Sequence, residues 1–200
     1  MKLLFKVLII LLLFTSISKA EKSTDWLNNE IDIILDAYKQ TSLSSVEKFK
    51  LIENTVNNNF AGAGIAKFVA GKSWSSAPKE IKKEYIKLFK KHLALNIASL
   101  MRSYSNQEYK LINSKYDEKN KVTLIDMKII NDTRNLLVTW RVKESKDRFF
   151  IIDLIIADIS LVVTKRSEFN SMLKKVDYNL KKLNDVLANQ NNLSYKIITK

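Results

Sequence analysis

The stretch that decides the fold is Lys121–Ile156, KVTLIDMKIINDTRNLLVTWRVKESKDRFFIIDLII. Apolar residues alternate with polar ones along it, the period of a half-buried strand. Thr123, Ile125, Met127 and Ile129 share one face of Lys121–Ile130, and Leu136, Val138, Trp140 and Val142 share one face of Leu136–Lys143. The run Arg148–Ile156 is apolar on both faces, as expected of a strand covered on both sides. Tyr109–Lys115 adds a strand in front. The polar turns Asp117–Asn120, Asn131–Asn135 and Glu144–Asp147 are too short for crossovers, so the four strands form an antiparallel meander.

On either side of these strands the period lengthens to that of a helix. Upstream, Leu27, Ile31, Ile34, Leu35 and Tyr38 form one stripe. A second, capped by Ser44 or Ser45, carries Val46, Phe49, Ile52 and Val56 and stops at Asn57-Asn58-Asn59. Phe60–Gly71 holds a short element ending at Gly71. Pro78 sits where an N1 proline opens a long helix running to about Tyr104, whose apolar stripe is wider than one neighbour requires. Downstream, Arg166–Val176 and a helix carrying Leu180, Leu183 and Leu187 complete the chain, and the polar run after Ala188 predicts a frayed tail. Helices, a four-stranded antiparallel sheet and helices again define an α+β domain.

The 200 residues suffice for one domain with a real core. Three segments are expected: a signal peptide over 1–20, the α+β domain over 21–190 and a polar tail over 191–200. Lys2 and Lys6, the apolar run Leu8–Phe14 and Ser18-Lys19-Ala20 carry the marks of a cleaved secretory leader. The apolar run is too short for a spanning helix, which needs roughly 20 residues. Its removal takes three lysines and no acid, so the net charge of +13 falls to about +10. The lysines are scattered, with no arginine-rich arm and no RNA-binding aromatic motif, so no nucleic-acid partner is expected. Attraction to anionic membrane surfaces is the functional remainder.

The chain has no cysteine and one histidine, which excludes thiolate metal sites, disulfides and multi-histidine centres. His92 lies within a helical stripe with no nucleophile elbow to serve. Gly62 and Gly64 are not followed by a phosphate-loop lysine and serine. Asp153 stands alone among apolar neighbours and needs a partner if buried; Arg166 is the candidate, making a structural polar pair. Its functional alternative is a general base of raised pKa in a small pocket enzyme. Neither a metal nor a cofactor is expected.

The order of residues adds a resemblance. Phe60, Ile65, Ala66, Gly71 and Trp74, then Tyr85, Phe89, Leu93, Tyr104 and Gln107, resemble the MlaC (toluene-tolerance auxiliary) family. That family reads Phe-Asp-Phe, a short helix ending Leu-Gly-x-x-Trp, spaced aromatics on a long helix, and Tyr-x-x-Gln. Phe149 to Asp153, Ile159-Ser160-Leu161-Val162 and Arg166-Ser167-x-Phe169 are similar to its Trp-x-x-x-Asp, Gly-x-Ser-Leu and Tyr-Arg-Ser-x-Phe. The likeness spans roughly Val46–Leu187. Ala61, Phe149, Ala157-Asp158 and Lys165 depart from the pattern, so Asp158 must adopt a conformation that glycine takes easily.

The resemblance implies a cone-like α+β fold with a curved sheet and an apolar cavity between sheet and helices. It implies a monomeric, non-enzymatic periplasmic phospholipid carrier. Its partners would be an outer-membrane lipoprotein complex and an inner-membrane ABC transporter with its substrate-binding ring. The lining expected from the short helix is Phe60, Ile65, Phe68, Val69 and Trp74. The long helix would add Leu93, Ile97, Leu100, Met101 and Tyr104, and the sheet side Val138, Trp140, Val142, Ile151, Ile155 and Leu161. The rival readings are a periplasmic chaperone or lipoprotein carrier, which would also use an apolar groove, and the pocket enzyme built on Asp153.

Overall fold

The computed structural model describes residues 19–102, 107–130 and 135–200. The expected leader, up to residue 18, and Tyr104 lie outside them. Five helices come first: α1 (Lys19–Lys39), α2 (Ser45–Asn59), α3 (Gly62–Ala70), α4 (Lys72–Ser76) and α5 (Lys79–Met101). A sheet follows, with β1 (Glu108–Asp117), β2 (Val122–Ile130), β3 (Leu136–Ser145), β4 (Arg148–Ile156) and β5 (Ile159–Ser160). Helices α6 (Leu161–Lys174) and α7 (Leu180–Ile198) close the chain.

Local chemistry sets the boundaries. Ser44 and Glu47 form a reciprocal capping box at the start of α2. Gly71 separates α3 from α4 at φ 57°, a conformation that strains any residue with a Cβ. Pro78 is the cap of α5 rather than its first helical residue, one position from expectation. The meander is antiparallel in the order β1-β2-β3-β4-β5, open at both edges, and bulged at Leu111/Asn113 and Arg141/Val142, where the bulges bend it. Both short hairpins turn through paired left-handed residues, Lys146-Asp147 and Ala157-Asp158. Two such residues match the twist of the flanking strands.

Two boundaries depart from the sequence reading. Helix α6 starts at Leu161, five residues before Arg166, because two polar side chains cap it. The Ser160 hydroxyl accepts from Val163 N–H at 3.1 Å, and the Asp153 carboxylate accepts from Val162 N–H at 3.1 Å. The preceding two residues pair with the end of β4 as a fifth strand. The tail expected over 191–200 is helical as far as Ile198. Its polarity misleads because Asn191 is buried, donating to the Leu88 carbonyl at 2.9 Å.

Cross-strand partners share a face, so the register lays out the sheet as rows. Thr123, Val142 and Ile151 form one; Ile125, Trp140 and Leu154 the next; Met127, Val138 and Ile156 a third. This face lies under α1, where Ser23 donates to Thr123 at 2.8 Å and Trp26 stacks on Phe149 at 5.6 Å. Phe60 prolongs the outer edge of β4 by a bridge to Ile151. The core joins this face to α2, α3 and α5 through Phe49, Ile52, Val56, Ala66, Val69, Phe89 and Leu93.

Candidate functional site: an apolar open end

The helices around the core have a fixed direction, set by side-chain contacts. Asn184 and Asn191 of α7 donate to the carbonyls of Ile81 and Leu88, seven residues apart on each helix, so α7 runs parallel to α5. Helix α6 is antiparallel to α5: Phe169 meets the His92 ring at 5.5 Å, and Lys165 reaches Asn96 at 3.2 Å. Continuing that register places the last turn of α5, Ile97–Met101, beside the first turn of α6. The same end receives the start of β1, the end of β2, the start of β3 and the end of β4, because β1 follows α5 after a short connection and the strands alternate in direction.

Among the described residues, side chains at this end are less covered than in the body. Ile97, Met101, Ile129, Ile130, Ile155, Ile156, Leu161 and Val162 are only half-buried. Leu100, Leu136, Leu137, Ile159 and Val163 are exposed, Leu100 at 67% and Ile159 at 64%. Exposed apolar clustering of this kind marks a binding surface or a mouth.

The residues expected to line a hollow therefore divide. Ile97, Leu100, Met101, Ile155 and Leu161 converge on the open end, with Val138 buried just behind them. Phe60, Ile65, Val69, Leu93, Val142 and Ile151 are buried core deeper in the body. Trp74 belongs elsewhere, stacked at 6.5 Å on Tyr85 in an aromatic cluster with Phe89 and Phe169. Phe68 is exposed on α3, with the Arg166 guanidinium 4.4 Å above its ring. Trp140, between Ile125 and Leu154, buries an indole N–H that has no acceptor among the described residues.

Between sheet and helices the space is packed. Ile125, Met127, Val138, Val142 and Ile151 are each at most 5% exposed, so the inner face of the sheet is buried along these rows. Two concavities lie on the outside of the helices. A groove of about 420 Å³ lies between α1 and β1, lined by Thr24, Asp25, Asn28, Asn29, Asp32 and Leu111. Another, of about 460 Å³, lies between α2 and α5, lined by Glu53, Asn57, Ile86 and Lys83, Lys87, Lys90 and Lys91. Of the residues expected to line an apolar interior, the solvent-accessible ones lie at the rim.

The sequence reading missed the adjacent pair Leu136-Leu137, Ile159 and Val163. The signal lay in view: Leu137 breaks the alternation of β3, so one of two consecutive leucines had to face away from the core.

Asp153 is 4% exposed, and its expected partner is wrong. Its carboxylate accepts from the Ser160 hydroxyl at 2.7 Å and Val162 N–H at 3.1 Å, with the Arg141 guanidinium at 3.6 Å. Arg141 is its direct cross-strand neighbour, whereas Arg166 lies one turn along α6 and points to α3, donating to the Phe68 carbonyl at 2.9 Å. A carboxylate so engaged ties β4 to β5 and to the start of α6, which is a structural task.

His92 is part-buried. Desolvation first, then the nearby Lys165 charge, holds its pKa below the usual imidazole value. It faces Phe169 and Asn191, with no nucleophile in contact. Among the described residues no group of three acidic or histidine side chains could hold a metal, and no helix is long and apolar enough to cross a membrane.

These features define a class: an α+β module with an open antiparallel sheet and an apolar rim at one end. The chain belongs to the MlaC family, whose model (MlaC protein) matches residues 28–189. Among solved structures it is similar to a phospholipid-binding protein from Ralstonia solanacearum, in complex with a phospholipid. The two share 16% identity and a TM-score of 0.72, over 84% of this chain and 96% of that one. No curated protein matches the chain.

Proposed function

We propose that this protein binds phospholipid, taking the acyl chains in at the open end while the head group stays at the rim. The single observation that carries the reading is the convergence of half-buried and exposed apolar residues from α5, β3, β4, β5 and α6 at one end of an otherwise sealed core. The phospholipid held by the similarly folded Ralstonia protein supports it. Loading then requires the end of α5 and the start of α6 to part from the sheet, because the inner face is closed at Val138, Val142 and Ile151.

The physical demand fits a carrier. Each methylene removed from water contributes about 0.8 kcal/mol, so two acyl chains of about fifteen carbons cannot cross an aqueous space unshielded. A carrier need only offer the chains an apolar environment nearly as good as a bilayer, so that transfer at either end stays near balance. On this reading the protein is exported to the periplasm and passes lipid between an outer-membrane lipoprotein complex and an inner-membrane ABC transporter, without chemistry of its own. Solvent extraction of natively purified protein followed by mass spectrometry tests the core claim. A phospholipid in near-stoichiometric amount is the expected result. Lipid-free protein, or a co-purifying polypeptide in place of lipid, would count against it.

A further inference from the structure

We propose that the rim of the open end is itself a surface for anionic bilayers, on which the protein rests with its mouth against the lipid. Leu100, Leu136, Leu137, Ile159 and Val163 are exposed on four elements, and Ile197 on α7 joins them: Arg102, just past the end of α5, donates to its carbonyl at 3.2 Å. They form an apolar rim around the mouth, backed by the half-buried Ile129, Ile130, Ile155, Ile156, Leu161 and Val162. Such an arrangement suits insertion into the fluid interfacial layer of a bilayer.

Charge supplies the second, independent argument. Lys110 of β1 and Lys128 of β2 are direct cross-strand partners, and Leu137 is the next residue in that row. Like charges opposite one another destabilise a sheet. Neither lysine side chain has an ion pair or hydrogen bond among the described residues, and the acid closest along β2, Asp126, accepts from Thr139 and Asn113. Arg102 stands at the same rim, and Lys196 and Lys200 flank Ile197. Against them, among the described residues, stand Glu108, Asp158 and Asp32, which accepts from the Tyr109 hydroxyl beside Lys110 at 2.6 Å. Unneutralised cations level with exposed leucines place positive charge at the depth of lipid phosphates. Since no described helix can span a membrane, the contact is interfacial.

This surface matters to the carrier reading, on which it rests for its purpose, because it lets lipid pass between mouth and bilayer without crossing water. Co-sedimentation of the purified protein with vesicles tests it, comparing phosphatidylcholine alone with phosphatidylcholine mixed with phosphatidylglycerol. Binding is expected to the anionic vesicles, weakening as salt is added. Lys110→Glu with Lys128→Glu should lower that binding by roughly tenfold or more. Leu137→Glu with Ile159→Glu should abolish it while leaving the urea midpoint in place, since both side chains are already exposed. Protein that ignores both vesicle types, which would assign the rim to a protein partner, overturns the proposal. So does binding unchanged in both double variants. Lipid extracted from the same preparation reports on the carrier reading separately, so either idea can fail alone.

Discussion

Asn191 holds His92 from the neighbouring helix: its Oδ1 stands 3.3 Å from the imidazole Nδ1 while its Nδ2 donates to the Leu88 carbonyl at 2.9 Å. The amide's second bond fixes its orientation, so Nδ1 of the neutral ring carries the proton and donates. One heptad earlier Asn184 repeats the grip, on the Ile81 carbonyl and Glu84. The last helix is therefore part of the domain.

Truncation after Gln190 should accordingly be costly. It removes the Asn191 bonds, the Tyr195 ring that meets Phe49 edge-on at 5.2 Å, and the buried Ile198. A loss of about 2–4 kcal/mol is expected, read as a lower urea midpoint. A dispensable tail would leave the midpoint where it was.

The same imidazole gives stability a pH dependence. Burial, then Lys165, lowers the folded pKa of His92, so over the interval below about 6.5 the unfolded chain binds a proton that the folded chain does not. Stability from this group is complete above that value and declines as pH falls through it, until the folded pKa is reached. His92→Gln should flatten this part of the profile. Because His92 is the only histidine, its NMR titration is a single curve, expected to have its midpoint below 6.5.

Removal of the Asp153 carboxylate orphans two donors at once. Asp153→Ala should cost about 2–4 kcal/mol in chemical denaturation. Arg141→Ala should cost less than about 1 kcal/mol, because that guanidinium is 40% exposed and 3.6 Å away. Arg166→Ala should lose about 1 kcal/mol from the Phe68 contacts and add to Asp153→Ala within about 0.5 kcal/mol. A larger coupling between 153 and 166 would restore the pairing that the sequence suggested.

Regular periodicity and local caps are readable in the sequence; caps and burial that depend on residues distant in the chain are not. The four long strands follow from alternation, and the helical stripes with Ser44 and Gly71 mark the helices before them. The start of α6 escapes such a reading because Ile159-Ser160-Leu161-Val162 looks like strand, and only the Asp153 carboxylate, brought from β4, makes it a capped helix. Asn191 reads as part of a frayed tail since its acceptor, the Leu88 carbonyl, lies about 100 residues away. For the site, apolar identity is legible and location is not: Leu93 and Leu100 share a stripe, yet one is buried core and the other rim. Ala157-Asp158 is legible as a strained turn, and both residues take left-handed φ, at 47° and 64°. Ala157→Gly should therefore raise the unfolding midpoint by up to about 1 kcal/mol of stability.

Trp140 offers the sharpest test of how the sheet face is packed. Its ring fills the row between Ile125 and Leu154, but its indole N–H is buried without an acceptor among the described residues, which costs the fold about 1–3 kcal/mol. Trp140→Phe keeps most of the apolar volume and deletes the orphan donor. The cavity left by the smaller ring and the relief of that donor oppose one another, so the net change should lie within about 1 kcal/mol of zero. Trp140→Ala, which leaves a large void and gains the same relief, should still lose about 3 kcal/mol. Thermal or urea unfolding of the two variants separates the contributions. A loss for the phenylalanine variant as large as for alanine would mean that the N–H is bonded after all, and the sheet face would have to be redrawn around its partner.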